Sequence, residues 1–399
     1  MAAPVTLFLI LGLVFGLVPA VFVGAQRAGG SSPTPEATTD RVNRLRWWPT
    51  KGTLPLQAFA GAKACSECHS DVASTQLHTP MALASIKVEG PVLAEGQSSL
   101  SGTMKARTLQ LGAYFYRISS DYRGSKLVAS SGRQTIAADI SWIMGAGVHG
   151  QTYILENMTG KKRNVYESEV SNFALHGMDV TPGHALVEAG NLKNALGERL
   201  STSAAARCFG CHTTYSSTNS KFDVSRAVPG VHCEACHGPG VDHIEAIKTG
   251  QIEEAAKAIL NPAVLNPVDS VDFCGACHRT AIDVVESEVS YGPMNVRFQP
   301  YRLEKSRCWG SRGDERLTCI ACHNPHEVLI REASSYDRRC LSCHAPQGKS
   351  HPTGAAPICP KAGTNCTTCH MPKYDVPGMH AKFTDHFIRV VRADESYPN

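Results

Sequence analysis

Fourteen of the 16 cysteines in this 399-residue chain stand in one pattern, Cys-x-x-Cys-His, repeated seven times. The first four copies are Cys65, Cys68 and His69; Cys208, Cys211 and His212; Cys233, Cys236 and His237; and Cys274, Cys277 and His278. The other three are Cys319, Cys322 and His323; Cys340, Cys343 and His344; and Cys366, Cys369 and His370. With 16 cysteines and 17 histidines in 399 residues, chance supplies about 0.03 copies. Two thiols three positions apart can reach the two vinyl groups along one edge of a haem and form thioethers. The adjoining histidine then rises beneath the iron as an axial ligand. A zinc ribbon also uses Cys-x-x-Cys pairs, but without an obligatory histidine after the second cysteine. A thioredoxin-like redox motif would be single. The expected cofactor is therefore haem c, covalently attached at seven places.

Seven irons closed on both sides need seven further ligands. Removing the motif histidines leaves ten, His78, His149, His176, His184, His232, His243, His326, His351, His380 and His386. His326 lies three residues beyond His323, too close to turn back onto its own haem, so it should reach a neighbouring iron. His243 follows His237 beyond a Gly-Pro-Gly turn and suits the same role. His78 sits nine residues after His69 on the expected helix, while His380 and His386 flank Phe383 in the tail. His149 and His184 lie among glycine-rich turns of the long motif-free stretch. These seven are the chosen distal ligands. His176, His232 and His351 read as surface or hydrogen-bonded residues. Met81, Met144, Met178, Met294, Met371 and Met379 could ligate iron, but with histidine in surplus they read as core filling.

Cys308 and Cys359 stand outside the pattern. In an oxidising compartment a disulfide between them is expected, with two free structural thiols as the alternative.

Residues Val5 to Val23 form an almost unbroken apolar run, and Val23 and Ala25 suit cleavage after Ala25. The run is also long enough for an uncleaved membrane anchor, although no Lys or Arg precedes it. Either reading places the bulk of the chain outside the cytoplasm, in the periplasm or at the cell surface. Hydrophobic residues at 42% exclude wholesale disorder, and 39 basic against 35 acidic residues is too balanced for a nucleic-acid binder.

The elements that must hold these groups divide unevenly. Cys208 lies 139 positions beyond His69, and six motifs then crowd into the C-terminal half. The intervening stretch holds short β-branched and aromatic runs at Ala113–Ile118, Lys126–Ser130, Gln151–Leu155 and Asn164–Val170. The expected organisation is a signal or anchor at 1–25, a linker at 26–55 and a first haem segment at 56–87. A small β-rich subdomain at 88–175, a six-haem domain at 176–392 and a tail at 393–399 complete it. The expected fold class is mainly α with extensive loops, since porphyrins fill much of the core. Ile252 to Leu260 reads as a helix ended by Pro262. Gly145-Ala-Gly147-Val-His-Gly150 matches a dinucleotide fingerprint, with Glu167 and Glu169 near the acidic offset. The strand-like residues after it make it a turn instead.

With those residues in hand, the chain resembles the bacterial multihaem c-type cytochromes of the cytochrome c554-like group over roughly residues 60 to 392. The resemblance is carried by Cys233-Glu-Ala-Cys-His-Gly-Pro-Gly240, by Ser306-Arg-Cys308 with Leu317-Thr-Cys-Ile-Ala-Cys-His-Asn-Pro-His326, by Cys366-Thr-Thr-Cys-His-Met-Pro-Lys373 and by Phe383-Thr-Asp-His386-Phe-Ile-Arg389. It implies periplasmic electron carriage through closely stacked haems, mostly with two histidine ligands, His243, His326 and His386 among them. The β-rich insertion departs from the group's small carriers, so no redox partner carries over.

The function expected is single-electron transfer by an exported cytochrome, with redox proteins or quinol-linked membrane donors as partners and no nucleic acid. A membrane tether and an oligomer are compatible with it. One rival is a multihaem oxidoreductase of small nitrogen or sulfur oxyanions with one open haem. The other is a subunit of an extracellular cytochrome filament. No Cys-x-x-Cys-Lys variant reserves an open iron.

Overall fold

A computed structural model describes residues 54–89, 108–286 and 292–398, except 122, 160–161, 185–190, 193, 220, 310–313, 315, 346–357, 362, 393–394 and 396. The expected signal or anchor, nearly all of the linker and His351 lie outside the described residues. The described residues belong to one unit, Glu36–Asn399.

The motif-free stretch builds one antiparallel sheet. Its strands are β1 (Ser85–Lys87), β2 (Thr108–Leu111), β3 (Tyr114–Asp121), β4 (Gly124–Ser131), β5 (Gln134–Met144), β6 (Gly150–Thr159), β7 (Lys162–Phe173), β8 (Gly177–Val180) and β9 (Gly197–Arg199). Strands β2 to β8 follow one another as a meander, with β1 added on β5 and β9 on β7. The four runs expected as strands fall on β3, β4, β6 and β7, where branched and aromatic residues pack well on a pleated surface. Register shifts between Ile140 and Trp142 and between Thr152 and Ile154 bend the sheet. Its first and last strands, β2 and β8, come together, so the sheet is barrel-like and nearly closed. Tyr116, Ile118, Leu127, Ile140, Ile143, Tyr153, Leu155 and Val170 fill one side of it as a buried core. The glycine-rich segment between Met144 and Gly150 is the turn joining β5 to β6, with Gly145 and Gly147 at positive φ.

The helices are short. They are α1 (Ala62–Ser66), α2 (Ser70–Gln76), α3 (Thr202–His212), α4 (Glu234–His237), α5 (Val241–Lys248) and α6 (Ile252–Lys257), then α7 (Pro267–His278), α8 (Ala281–Glu286), α9 (Gln299–Glu304), α10 (Cys319–Cys322), α11 (Asp337–His344) and α12 (Cys366–His370). Strands Lys373–Val376 and Ala381–Thr384 pair as a C-terminal hairpin. Among the described residues 36% are helical and 28% are in strands. The expectation of a mainly α fold is thus overturned. The physical reason is that each motif needs only a turn or two of helix, whereas the motif-free stretch commits its residues to extended pairing. No helix among the described residues is long and apolar enough to cross a membrane.

The other side of the sheet carries the helix of the second motif. Trp142, Met144, Ile154 and Val165 pack with Ala205, Phe209, Val224 and Ala227, and the Trp142 and Phe209 rings meet edge to face at 5.1 Å. Ser201 caps α3 by accepting a hydrogen bond from the Ala204 N–H at 3.1 Å.

Candidate haem-binding sites

All seven Cys-x-x-Cys-His copies lie on or at the ends of short helices. On a helix, residues three apart project from one face, which sets the two thiols side by side. The second cysteines show how this is done. Cys68 lies in the turn between α1 and α2, where its N–H donates to the Cys65 carbonyl at 3.2 Å. Cys236, Cys277 and Cys369 lie inside α4, α7 and α12, and the Cys236 N–H likewise donates to the Cys233 carbonyl at 3.1 Å. Cys68 and Cys369 are exposed, whereas Cys236 and Cys277 are half-buried. None of the fourteen motif cysteines is in a disulfide, which leaves their thiols in the form that thioether attachment requires.

In α3, α4, α7, α11 and α12 the motif histidine is the last helical residue. Helix α7 begins under an Asn266 cap, whose side chain accepts from the Asp269 N–H at 2.9 Å, and has Pro267 at its first position. Within its motif Gly275 is close-packed, since a Cβ there would sit 2.4 Å from Thr280 Cγ2.

Three motif histidines are oriented in the same way. The Nδ1–H groups of His212, His237 and His370 donate to the carbonyls of Ala84 (2.9 Å), Leu260 (2.8 Å) and Arg389 (2.8 Å). A carbonyl only accepts, so the proton sits on Nδ1 and the Nε2 lone pair is directed elsewhere, where a metal can take it. Such an outer hydrogen bond fixes the ring and raises its basicity as a ligand. For His212 the anchor is the sheet itself. Ala84 adjoins β1, and the Ser85 hydroxyl donates to the His212 carbonyl at 2.6 Å. Three of the expected distal ligands show the same device. Nδ1 of His78, His243 and His386 donates to Ser74 (2.8 Å), Ala255 (2.9 Å) and Thr384 (3.1 Å).

Two motif histidines face a second imidazole. The rings of His237 and His326 stand 6.0 Å apart with planes 15° from parallel. Those of His323 and His386 stand 6.2 Å apart at 46°. Imidazole–metal bonds of about 2.0–2.1 Å, with about 1.1 Å from nitrogen to ring centre, put two rings on opposite sides of one ion about 6 Å apart. The donor set therefore fits iron held between paired imidazoles at both places. Burial pushes the His386 imidazole down to about 4, and the neighbouring His323 adds to this. Burial likewise lowers His323 and His326, with His278 and His237 as the adjoining imidazoles. These rings are held neutral, the form that binds a metal.

Thiols of different motifs also meet. Cys65 and Cys233, Cys274 and Cys319, and Cys340 and Cys366 lie close enough for each thiol to perturb the ionisation of the other. The Cys211 thiol approaches the Ala276 carbonyl of the fourth motif at 3.6 Å. Attachment sites far apart in sequence thus become neighbours. The expected disulfide between Cys308 and Cys359 is not formed. Cys308 instead lies in the field of Cys343 and Asp314, and burial raises its thiol.

Other expected ligands are placed elsewhere. His184 is gripped by two carboxylates, Nδ1 at 3.0 Å from Glu169 and Nε2 at 3.5 Å from Glu167. Burial opposes its charge, but the hydrogen bonds to Glu167 and Glu169 outweigh it and raise the imidazole to about 9. His380 gives Nε2 to Asp179 at 2.7 Å and stacks on His176 at 3.7 Å. His149 packs on Phe383 at 4.7 Å, and burial beside Arg331 lowers its pKa. The rings against His149 and His380 are thus those of Phe383, His176 and Phe173, none of them a motif histidine.

Several positioning residues carry no signal in the sequence. Glu234, inside the third motif and 2% exposed, accepts from the N–H groups of Ala60 (2.7 Å), Gly61 (2.9 Å) and Gly240 (2.8 Å). It ties the first motif's segment to the third motif. Asp337 on α11 accepts from the Asn365 and Cys366 N–H groups at 2.6 and 2.8 Å, joining the sixth and seventh motifs. Arg302 and Asp385, both fully buried, form a two-bond pair at 2.8 and 3.0 Å that holds the segment bearing His386. His232, expected to be a surface or hydrogen-bonded residue, has a buried Nδ1 without a hydrogen-bond partner, while the Pro229 backbone engages the ring. An orphaned ring nitrogen of this kind is an available ligand.

One family model matches residues 184–238, and its description is cytochrome c554 and c-prime. The matched residues include the second and third motifs, with α3 and α4. Nothing among curated proteins or solved structures matches the chain. The match supports, at a coarse level, a c-type cytochrome, a class that binds haem c covalently and serves electron transfer.

Proposed function

We propose that the chain is an exported seven-haem cytochrome that passes single electrons along closely packed, mostly bis-histidine haems of low potential. The observation that carries this reading is the pair of facing imidazoles, His237 with His326 and His323 with His386. His326 follows the fifth motif yet faces the histidine of the third. A loop that leaves one attachment site closes the next, so neighbouring sites are held at close range. The contacts between Cys65 and Cys233, Cys274 and Cys319, and Cys340 and Cys366 support the same packing.

When bound, haem c supplies the Fe(III)/Fe(II) couple. The chain's own residues set its conditions. His237 with His326, and His323 with His386, would hold an iron from both sides, and an iron so held would have no site for a small substrate. Carbonyl anchors on Nδ1 of His212, His237, His370, His78, His243 and His386 hold the rings through a change of oxidation state. Two nitrogen ligands give a lower potential than a methionine–histidine set. Haem propionates would find partners among the 39 lysines and arginines. The partners proposed are redox proteins or quinol-linked donors, met outside the cytoplasm.

The test is haem content after expression in a host that attaches haem c. Intact mass and a pyridine haemochrome assay should both give seven haems per chain. A count of two, as the matched segment alone would give, overturns the seven-haem reading.

A further inference from the structure

We propose that His176, Asp179 and His380 form a separate divalent-metal site that pins the C-terminal hairpin to the barrel-like sheet. They are the one group of three metal-ligating side chains among the described residues whose donor atoms lie within 4.8 Å of one another. Asp179 is on β8, His176 is in the turn before it, and His380 is in the turn of the hairpin, some 200 positions along the chain. Asp179 Oδ2 receives both rings, His380 Nε2 at 2.7 Å and His176 Nε2 at 3.5 Å. Donors each about 2.0–2.2 Å from one tetrahedral ion stand about 3–3.5 Å apart. The two distances to Asp179 Oδ2, 2.7 and 3.5 Å, are within a few tenths of an ångström of that, and all three donors lie within 4.8 Å of one another.

The surroundings favour an ion over a simple ion pair. The other Asp179 oxygen, Oδ1, accepts from the Val180 N–H at 2.7 Å, which turns Oδ2 towards the imidazoles. The two rings lie parallel to within 4° at 3.7 Å, and both direct Nε2 towards Asp179 Oδ2. The Phe173 ring braces His380 edge-on at 4.8 Å. His380 is held at φ +48, a conformation that residues with a side chain rarely adopt. Two imidazoles and one carboxylate suit a borderline transition-metal cation of the zinc class. The His176 side chain is 49% exposed, which leaves room for water as a further ligand. The site is distinct from the haem positions, since no Cys-x-x-Cys-His residue contributes a donor.

The test uses the haem-loaded protein, stripped of loose cations with a chelator and titrated with Zn²⁺ by calorimetry, with bound metal counted after gel filtration. One Zn²⁺ per chain is expected, weakened at least about 10-fold in each of His176→Gln, Asp179→Asn and His380→Gln, since losing even an outer-shell partner of a ligand costs about 10–100-fold. The haem absorption and EPR spectra of the three variants should match the parent. No Zn²⁺ binding by the parent, or equal binding by the parent and all variants, overturns the site and leaves an ion pair. Loss of one low-spin haem signal in His380→Gln also overturns it, because His380 would then be an iron ligand.

Discussion

His326 and His237 face one another 6.0 Å apart, although 89 positions and two complete motifs separate them. In the proposed reading a local motif would supply one ligand to the iron, and a loop from a different attachment site the other. This gives the first prediction. His326→Met should change the spectrum of one haem and raise its potential by on the order of 100 mV, within the span that axial ligands control. Spectroelectrochemistry should show six haems unchanged. An unaltered set of potentials would remove His326 from the ligands.

Arg302 and Asp385 form the most deeply buried ion pair of the described residues, with Arg389 adding a bond to Asp385 at 2.8 Å. Burial alone would raise the Asp385 carboxyl, but the Arg302 and Phe387 hydrogen bonds hold it below the ordinary carboxylate range. A depressed carboxylate contributes stability above its unfolded pKa and loses it as pH falls through the folded value. Arg302→Met should destabilise the protein by about 3 kcal/mol, the lower end for a broken buried pair because Arg389 remains. The loss should shrink on acidification. Denaturant titration at several pH values checks both points.

Glu234 accepts three backbone N–H groups from two segments. Glu234→Ala leaves those donors buried and should cost about 3 kcal/mol. The loosened part is the first motif's segment, so the largest change in hydrogen–deuterium exchange should fall around Cys65 and Cys68. Uniform loosening across all motifs would contradict this.

His184 makes a pH prediction with a definite sign. Its imidazole is raised to about 9 by Glu167 and Glu169 despite a side chain only 5% exposed. The charged ring therefore contributes stability in full below the unfolded value of about 6.5, and that contribution disappears as pH rises through about 9. His184→Gln should flatten this part of the stability profile and leave haem spectra unchanged. A lost low-spin haem in the variant would instead make His184 an iron ligand.

The residues explain which parts can be read without a structure. Cys-x-x-Cys-His is a covalent code written over five positions, so the attachment sites need no knowledge of the fold. Strands β3, β4, β6 and β7 are legible because branched and aromatic residues cluster in them. The eleven-residue β5 is not, since Gln134-Thr-Ile-Ala-Ala-Asp lacks that clustering and its pairing with β1 is long-range. Closure of the sheet depends on register shifts at Ile140 and Thr152, which no composition reveals. The roles of His184 and His380 are hidden for a related reason. Their carboxylate partners, Glu167, Glu169 and Asp179, lie on strands β7 and β8, and residues two apart on a strand share a face. His326 and His386 are legible because the first stands too near its own motif and the second lies in the tail.

EPR of the fully oxidised holoprotein tests the bis-histidine electron carrier most directly. Seven closed irons, most of them held between paired imidazoles, predict low-spin ferric signals only, with high-spin intensity far below one spin per chain. A high-spin signal at one spin per chain would mean an open iron, and would contradict a protein built only to pass electrons.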